Sequence, residues 1–537
     1  DDVESRGLGD VYKRQPLEKK GANMFSKVKS CAVHGVDGRM IDVEADVNDG
    51  LPVFTMVGYL SSSVRESSER VRTALKNSGF HLPPKRITIN LSPADMRKDG
   101  SGYDLAIATA VLLSLGVTAE LPMEQTLVLG ELSLDGSIKA IPGVLPMVIC
   151  AREEGMTSCI VPKENVQEAA LVQGISVIGV SSLKETMEYI QGIKEYENTN
   201  VEQPAVDTSE YLYDIDFSDV VGQESIKRGM EIAAAGFHNV LLTGAAGAGK
   251  SMLAKRLPTI LPQMSFEESL EVTKIYSVGG MLPPEGGLIH RRPFRAPHHT
   301  ISEYALIGGG RVPTPGEVSF AHYGVLFLDE LPEFSKPVLE VLRQPLEDRR
   351  IRISRVQASY EFPADFMFVA AMNPCPCGNY PDYRRCSCTE QQIRRYQSKV
   401  SGPLLDRIDI RMEVKGVKQE VLFSKQKTES SKTIRARVEQ ARQMQKERFA
   451  GTGLLFNSQL DGKNLEEYIT LSEEGKRLVL QLFEEQELSV RGVHRVLKLA
   501  RTIADLAGSE EIEHAHLQEA AFYRNQDVFA KEVLHGN

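Results

Sequence analysis

The segment from Asn239 to Leu257, NVLLTGAAGAGKSMLAKRL, constrains the fold of this chain more than any other feature of the sequence. An apolar run leads into a glycine-rich turn, and a helical pattern follows, which is the context that a phosphate-binding P-loop requires. Glycines let backbone N–H groups close around a phosphate, and the start of a helix adds positive potential. A fortuitous glycine-rich turn is the alternative. The candidate nucleotide-binding residues are Gly244, Ala245, Ala246, Gly247, Ala248, Gly249, Lys250 and Ser251.

Two of these side chains and two acids further along the chain carry specific chemistry. The Lys250 ammonium can reach the β- and γ-oxygens of a triphosphate, and the Ser251 hydroxyl can ligate Mg²⁺. The run GVLFLDE predicts a second buried strand with Asp329 and Glu330 at its carboxyl end, where ligands bind in open α/β sheets. We expect Asp329 to hold Mg²⁺ and Glu330 to polarise an attacking water, although both acids could simply be solvated in a loop. The cofactors implied by these residues are a nucleoside triphosphate and Mg²⁺.

Three further polar residues are candidates for the same chemistry. A third strand, FMFVAAMN, ends in Asn373, whose amide can hydrogen-bond the attacking water or, alternatively, cap a helix or turn. Arg407 in GPLLDRIDI and Arg491 in SVRGVHRVLKLAR could each stabilise charge on the transferring phosphoryl group. Each could equally be a surface or ion-paired arginine, so the residues alone leave both roles open.

Charge and hydropathy limit the partners and the compartment. The net charge of −10 gives no global basic field for nucleic acid, so any DNA contact must use a local patch. Charged residues interrupt every hydrophobic stretch, and no secretory signal is present near the start, so we expect a soluble, cytoplasmic protein without membrane contact. In that reducing compartment, clustered cysteines are more often metal ligands than disulfides.

Four of the seven cysteines fall within CPCGNYPDYRRCSC, residues 375–388. The pattern lacks the usual C-x₂-C spacing, but four thiolates on one short loop can close a tetrahedral Zn²⁺ site. Free or redox-active thiols and an iron–sulfur cluster remain the alternatives. The predicted ligands of a structural Zn²⁺ are Cys375, Cys377, Cys386 and Cys388.

An arginine-rich segment, LRQPLEDRRIRISRVQASYEF, directly precedes the third strand. Its IRISRVQASYEF portion predicts a strand, a turn and a second strand. Arginines on such a hairpin could track a phosphate backbone without reading bases, whereas a solvated hairpin with salt bridges is the alternative. The candidate DNA contacts are Arg349, Arg350, Arg352 and Arg355.

The order of the P-loop, RPFRAPHHT, VLFLDE, AMNPCPCG, LLDRIDI and VRGVHRVLKLARTIADL resembles the magnesium-chelatase-like AAA+ ATPases, and more closely the YifB/ComM family. The resemblance implies a homo-oligomeric ring, expected to be a hexamer, with ATP at subunit interfaces. By motif match, Arg407 resembles the arginine finger that enters a neighbour's site, and Arg491 resembles the sensor-2 arginine of a C-terminal helical lid. The arginine-rich hairpin is expected to project into the ring pore.

The segment GELSLDGSIKAIPGVLPMVICAREEGMTSCIVPKEN resembles the Lon protease domain, whose fold is shared with ribosomal protein S5 domain 2. In that family a serine nucleophile is activated by a lysine. Here Gly102 falls at the serine position, with Ser101 one residue early, and Leu145 falls at the lysine position. Because leucine cannot take the hydroxyl proton, we expect the fold without peptidase activity.

These observations predict a multidomain chain of α/β and α+β class. Residues 1–23 lack a clear amphipathic pattern and are expected to be a non-native or disordered tail. The expected domains are a Lon-like (S5 domain 2-like) domain at 24–192, a linker at 193–214, an AAA+ parallel-sheet core at 215–420 and a C-terminal helical lid at 421–537.

Two functions of different classes fit this organisation. The first is an ATP-driven ring motor that binds single-stranded or branched DNA, of the helicase or branch-migration type that acts in recombination or natural transformation. The alternative is a chelatase-like ATPase that remodels a protein partner. The arginine-rich hairpin favours the first function, whereas the overall acidity leaves the second open.

Overall fold

The computed structural model describes residues 24–195, 213–283, 287–355, 358–416, 428–485 and 489–525. The expected tail, residues 1–23, and most of the expected linker, residues 193–214, lie outside the described residues. The described chain forms two compact units. The first comprises residues 24–195, 273–283 and 287–288, and the second comprises the other described residues.

The first unit is built on a mixed sheet with helices packed against it. Its strands are β1 Phe25–His34, β2 Asp37–Asn48, β3 Val53–Val57, β4 Arg86–Ser92, β5 Thr126–Val128, β6 Glu131–Leu132, β7 Ile138–Lys139, β8 Ser158–Pro162 and β9 Ser176–Val180. Its helices are α1 Ser62–Asn77, α2 Asp104–Ser114, α3 Val144–Glu153, α4 Val166–Ala169 and α5 Leu183–Ile190.

Seven of these strands form one sheet, in the order β3-β4-β2-β1-β5-β8-β9. The alternating pattern in β2 buries Ile41, Val43, Ala45 and Val47 on one face of the sheet. The helix α2 is buried on nearly all sides, as its continuous apolar sequence predicts. The DG turn joins β6 to β7 with Gly136 in a left-handed conformation (φ +87°).

The helix α3 begins earlier than its periodicity suggests. We expect a start at Met147 from the sequence, but the helix begins at Val144, directly after Gly143. Pro146 therefore lies in the first turn, where its missing N–H costs no intrahelical hydrogen bond. Pro146 thus lies at the start of the helix and does not interrupt it.

The second unit contains a parallel sheet and most of the helices. Its strands are β10 Val240–Thr243, β11 Phe294–Arg295, β12 Gly308–Gly309, β13 Thr314–Pro315, β14 Val325–Leu328, β15 Arg350–Ser354, β16 Ser359–Pro363, β17 Met367–Met372 and β18 Ile410–Glu413. Its helices before residue 410 are α6 Glu224–Gly236, α7 Lys250–Arg256, α8 Phe266–Val278 (in the first unit from Thr273 onward), α9 Glu303–Ile307, α10 Glu317–Phe320, α11 Lys336–Val341, α12 Pro345–Asp348, α13 Glu390–Gln397 and α14 Gly402–Leu405. The later helices are α15 Ser431–Arg448, α16 Gly462–Tyr468, α17 Glu473–Glu485, α18 Val490–Leu506 and α19 His514–Asn525.

The parallel sheet has the strand order β11-β14-β17-β10-β18. Its three middle strands, β14, β17 and β10, are buried along their whole length, which explains why their sequences are continuous apolar runs instead of alternating ones. Because all strands run the same way, their carboxyl ends meet at one edge. The expected mixed α/β character with a parallel-sheet core is confirmed.

The C-terminal helices share the hydrophobic core of the second unit. In α18, Val496, Ala500 and Ile503 are buried at helical spacing in the same cluster as Val240 and Met412 of the sheet. The buried Asp505 accepts hydrogen bonds from Arg448 Nη2 at 2.5 Å and from Arg501 Nε at 3.1 Å, which ties α15 to α18. Within the described residues, no helix combines the length and apolarity needed to cross a bilayer.

Candidate nucleotide site and basic surfaces

The P-loop joins the carboxyl end of β10 to the start of α7. Gly247 (φ +76°) and Gly249 (φ +97°) adopt left-handed conformations that side chains with a Cβ disfavour. At Gly244 the limit is space, since a Cβ there would lie 2.2 Å from the carbonyl oxygen of Val414. The glycine pattern in the sequence therefore corresponds to backbone conformation at Gly247 and Gly249 and to the close approach of another chain segment at Gly244.

Lys250 lies at the first position of α7, and its side chain is buried under the loop. Its Nζ donates to the carbonyl oxygens of Gly244 at 2.6 Å and Ala245 at 2.9 Å, and to Asn373 Oδ1 at 3.0 Å. Burial lowers the pKa of Lys250. All three acceptors of the ammonium group are neutral oxygens. A negatively charged phosphate oxygen would bind the ammonium more strongly and can replace them.

Ser251 and the acids after β14 meet next to this lysine. The Ser251 hydroxyl donates to Asp329 Oδ2 at 2.5 Å. Glu330 follows in a left-handed conformation (φ +52°), and its backbone N–H donates to Asp329 Oδ1 at 2.9 Å. This conformation is unusual for a residue other than glycine and exposes the Glu330 carboxylate at the sheet edge.

Asn373 reaches the same place because β17 lies between β10 and β14. Thr243 pairs with Met372, and Leu328 pairs with Ala370, so the three strands end within two residues of one another. Residues from three separate stretches of sequence are therefore brought together by the register of one parallel sheet: Lys250, Ser251, Asp329, Glu330 and Asn373.

The donor set at this edge fits a magnesium nucleotide. Mg²⁺ prefers oxygen ligands, and Ser251 Oγ and Asp329 Oδ2 are already close enough to bind one ion together, directly or through water. When bound, the ion would supply positive charge to the phosphate oxygens. The glycine-rich turn offers backbone N–H groups, and Lys250 offers the matching cation.

Arg407 and Arg491 both line one pocket of the second unit, and no P-loop residue lines it. The pocket has a volume of about 280 Å³, and the two arginines share it with Arg349 from the base of the hairpin. Arg407 Nη1 donates to the carbonyl oxygen of Pro403 at 2.8 Å, and Nη2 donates to Glu347. We call this the Arg407 pocket, and the Asp, Glu, Lys and Arg residues that line it are Glu347, Arg349, Asp365, Arg407, Asp409, Asp461, Arg491, Arg495 and Lys498.

The floor of the Arg407 pocket is an ionic network that sequence reasoning missed. The buried Asp409 accepts from Arg495 Nη1 at 2.6 Å and lies 3.5 Å from His238 Nδ1. Burial alone would raise the pKa of Asp409, but Arg495 and His238 hold this pKa well below its usual range. Burial lowers the pKa of Lys498 to about 8. The spacing of Arg491, Arg495 and Lys498, which places them on one face of a helix, was the available signal.

The four cysteines of residues 375–388 form one cluster. Their sulfur atoms all lie within 4.8 Å of one another, with separations of 3.4 Å from Cys375 to Cys377, 3.6 Å from Cys377 to Cys386 and 3.8 Å from Cys375 to Cys386. Tetrahedral Zn²⁺ with Zn–S bonds of about 2.3 Å places sulfurs about 3.8 Å apart. The donor set and spacing therefore fit a Cys₄ zinc site.

The cysteine loop contacts the P-loop directly. A Cβ at Gly378 would lie 3.3 Å from the backbone nitrogen of Ala246 and 3.9 Å from Asn373 Cγ. Cys375 is fully buried two residues after Asn373, and Gln397 Nε2 donates to the carbonyl oxygen of Pro374 at 2.9 Å. The shape of this loop is thus linked to the end of β17 and to the glycine-rich turn after β10.

The arginine-rich segment forms the expected antiparallel hairpin, with β15 paired to β16 from Arg350 opposite Pro363 to Ser354 opposite Ser359. Arg350 and Arg352 both pair with Glu361, at 2.9 and 3.2 Å, and their side chains remain more than half exposed. Arg355 is also exposed and donates to the carbonyl oxygen of Gly310 at 3.1 Å. Arg349 differs from the other three, because its side chain lines the Arg407 pocket.

In the first unit, the residues at the positions of the protease serine and lysine take part in packing and hydrogen bonding within the domain. Leu145 is fully buried, and its N–H donates to the buried Glu168 at 2.9 Å. A Cβ at Gly102 would lie 3.1 Å from Ile141 Cδ1, and the adjacent Ser101 hydroxyl donates to Glu131. Lys98 is buried and donates to the carbonyl oxygens of Pro93 and Met96.

Three family models match successive parts of the chain. Residues 216–422 match the model of magnesium chelatase, subunit ChlI. Residues 43–165 match a second model of subunit ChlI of Mg-chelatase, and residues 428–524 match the ChlI C-terminal model.

Among full-length relatives, competence protein ComM of Haemophilus influenzae is 40% identical over 503 residues, covering 93% of this chain and 97% of that protein. The uncharacterized protein YifB of Escherichia coli K12 is 41% identical over 507 residues, covering 94% and 97%. A partial match of 30% identity over 183 residues links 30% of this chain to 32% of Lon protease 2 of Bacillus subtilis.

Proposed function

Because this chain belongs to the YifB/ComM family of magnesium-chelatase-like AAA+ ATPases, we propose that it is a ring motor that hydrolyses ATP to drive movement along DNA. The observation that carries the proposal is the convergence at one sheet edge of Lys250, hydrogen-bonded to Asn373 at 3.0 Å, and Ser251, hydrogen-bonded to Asp329 at 2.5 Å. The exposed arginine hairpin of the same unit supports DNA as the partner.

In this proposal the P-loop N–H groups of residues 244–251 bind the triphosphate, and Lys250 exchanges its carbonyl partners for β- and γ-phosphate oxygens. Ser251 and Asp329 hold the magnesium ion of the nucleotide. Glu330 orients a water for in-line attack and accepts its proton as the bond from the γ-phosphorus to the bridging oxygen breaks, leaving ADP and inorganic phosphate. Asn373 positions the same water and senses the γ-phosphate.

Arg407 and Arg491 act on the nucleotide of a neighbouring subunit. Their shared pocket supports one composite site with both arginines, with Arg407 as the finger and Arg491 as the sensor-2 arginine. A closed ring, with six copies proposed, lets every subunit supply a P-loop to one neighbour and this site to the other. Helices α15–α19 are assigned as the lid of residues 421–537, the AAA+ core as 215–420 and the Lon-like domain, without a protease dyad, as 24–192.

DNA is the proposed substrate of the motor, in single-stranded or branched form. The name of the Haemophilus influenzae relative, competence protein, supports a role in natural transformation or recombination. Helicase or branch-migration activity is tested by measuring whether forked or Holliday-junction DNA raises ATP turnover and whether the chain separates or moves such junctions. A chain that hydrolyses ATP but ignores all DNA forms would contradict this assignment.

The first prediction concerns the hairpin. We expect the double change Arg352→Ala and Arg355→Ala to weaken DNA binding and to flatten the slope of log K against log salt concentration by about 2, because two phosphate contacts are lost. Fluorescence anisotropy with a labelled fork at several salt concentrations measures both effects. Arg477→Ala, an exposed arginine on α17, is the matched control and should leave the slope unchanged. An unaltered slope in the double variant would refute the proposal that the hairpin arginines contact DNA.

A protein-remodelling ATPase, like the magnesium chelatase subunit that the family models describe, is the second candidate. The net charge of −10 favours it, since an acidic surface disfavours DNA outside local patches. The two candidates separate in one assay. ATP turnover that rises with a protein partner but not with any DNA structure would support remodelling.

We also propose that the four-cysteine cluster binds a structural Zn²⁺ that shapes the loop contacting the P-loop. Four thiolate ligands leave no open coordination position, so the ion would brace the loop without chemistry of its own. The closeness of Gly378 to Ala246, where a Cβ on Gly378 would lie 3.3 Å from the Ala246 nitrogen, supports an effect of the ion on the proposed phosphate-binding turn. Redox-active thiols and an iron–sulfur cluster are the competing assignments.

The second prediction tests this ion. Protein purified under reducing, chelator-free conditions should contain about one equivalent of zinc per chain, and Cys377→Ser with Cys386→Ser should lower it below half an equivalent, because two of four ligands are lost. Elemental analysis measures zinc and iron together. Cys150→Ser, outside the cluster, is the control. A wild-type preparation with less than half an equivalent of zinc, or with iron and visible absorbance, would refute the assignment.

A further inference from the structure

The short helix α12, Pro345–Asp348, carries the acidic partner of Arg407 and ends two residues before the arginine hairpin begins. Glu347 lies in this four-residue helix, and β15 begins at Arg350. We propose that Glu347 is the resting partner of the Arg407 guanidinium and that α12 transmits the state of the neighbour's nucleotide to the hairpin. This inference rests on the proposed function, and it adds a positioning residue and a coupling route to it.

The contacts of Arg407 suit a group that changes partners. Its side chain is 12% exposed and pairs with Glu347, whose side chain is 56% exposed and has solvent as an alternative environment. Arg407 Nε is buried without a hydrogen-bond partner among the described residues. A buried, unsatisfied guanidinium N–H costs free energy, and an incoming phosphate oxygen can satisfy it. The pair with Glu347 is therefore replaceable, and the replacement adds a hydrogen bond.

With Glu347 turned into solvent, the pocket would hold five cationic side chains and three acids, so its charge would favour an anion in place of the Glu347 carboxylate. The cations are Arg349, Arg407, Arg491, Arg495 and Lys498; the acids are Asp365, which lies 3.8 Å from Arg349, Asp409, which is engaged by Arg495 and His238, and Asp461. The γ-phosphate of a neighbour's ATP carries more charge than a carboxylate and three acceptor oxygens. ADP lacks that group. Arg407 would thus leave Glu347 in the ATP state and return after hydrolysis and phosphate release.

The backbone at Arg349 connects this exchange to the hairpin. Arg349 follows α12 in a left-handed conformation (φ +54°), its N–H donates to Pro345 at 3.0 Å, and its carbonyl accepts from Ala364 N–H at 2.9 Å. Ala364 directly follows β16, so this hydrogen bond closes the base of the hairpin. The side chain of Arg349 lies in the Arg407 pocket, 3.8 Å from Asp365. A shift of α12 therefore reaches both hairpin strands through one residue.

The test uses the full-length chain and compares Glu347→Gln with Asp348→Asn. Both residues are exposed acids of α12, but Asp348 accepts from Gln344 at 3.4 Å instead of pairing with Arg407. Freeing the finger should raise ATP turnover without DNA by about fivefold, the most that an exposed ion pair usually contributes. It should also reduce the further stimulation by forked DNA. Glu347→Asp, which keeps the charge, should stay within about twofold of wild type.

Two readouts separate coupling from a general structural effect. ADP affinity should be equal in all variants, because ADP has no γ-phosphate for Arg407 to bind. Hydrogen exchange of residues 345–354 should rise in the wild type on adding a non-hydrolysable ATP analogue, and in Glu347→Gln it should be high without nucleotide.

The outcomes distinguish this inference from the proposed function. If Arg407→Ala hydrolyses ATP at the wild-type rate, the proposed function and this inference both fail. If Arg407→Ala is defective but Glu347→Gln matches Asp348→Asn in basal turnover, DNA stimulation and exchange, the inference alone fails.

Discussion

Replacing Lys250 by alanine is expected to reduce ATP turnover about 100- to 1,000-fold, because in the proposed mechanism the transition state loses the cation that binds its β- and γ-oxygens. The buried Lys250 ammonium donates to the carbonyl oxygens of Gly244 and Ala245 and to Asn373 Oδ1. Among the described residues, no other side chain donates to all three acceptors. Steady-state phosphate release with saturating magnesium-ATP measures the loss.

The control for this experiment lies on the same helix. Lys255 is an exposed lysine of α7, and Lys255→Ala should retain turnover within about twofold. A thermal melt of both variants establishes that they are folded, since removing Lys250 takes its hydrogen bonds from three acceptors, of which the Ala245 carbonyl keeps the Ala248 N–H at 3.2 Å. Wild-type turnover by a folded Lys250→Ala variant would mean that hydrolysis does not occur at this sheet edge.

Arg407→Ala is expected to lower kcat by about 1,000-fold or more, which is the usual contribution of an arginine finger. The distinctive expectation is complementation. Lys250→Ala subunits retain Arg407, and Arg407→Ala subunits retain Lys250, so mixed rings contain some interfaces with both groups. Random mixing in equal amounts restores about one quarter of the interfaces. Turnover of the mixture should therefore far exceed that of either variant alone.

The mixture also distinguishes action in trans from action within one chain. If Arg407 served the P-loop of its own subunit, no combination of the two variants would rebuild a complete site, and the mixture would stay inactive. Arg343→Ala is a suitable control, because Arg343 is a partly exposed arginine that pairs with Glu340 and does not line the Arg407 pocket. It should leave turnover unchanged.

The Lys250 variant tests the chemistry of one site, for which the hydrogen bonds to Asn373, Gly244 and Ala245 provide the geometry. The Arg407 mixture tests the assembly, for which the shared pocket with Arg491 provides the support. If both variants lose turnover but their mixture does not regain it, the nucleotide site at the sheet edge would be supported and the action of Arg407 across a ring interface would be refuted.

Local features of this chain could be read from its sequence. Glycines at 247 and 249 meet a local backbone demand, apolar runs such as VLFL match strands buried on both faces, and IRISRVQASYEF encodes a hairpin between its own two halves. The closeness of four cysteines within one short loop is also local. In each case the residues that must cooperate are near in sequence, so composition and spacing are sufficient.

Contacts between distant segments required the tertiary structure. Arg407 and Arg491 share a pocket, Arg349 turns away from its hairpin into that pocket, and Gly378 lies against Ala246. The start of α3 at Val144 likewise depends on a conformation at Gly143 that periodicity does not report. The residue types of this chain and their spacing therefore determined the P-loop, its strands and the kind of chemistry, because backbone geometry and hydrophobic pattern act over a few residues. Only the tertiary structure decided that Arg407 and Arg491 share a pocket and that the cysteine loop lies against the P-loop, because these contacts depend on how separate elements pack in space.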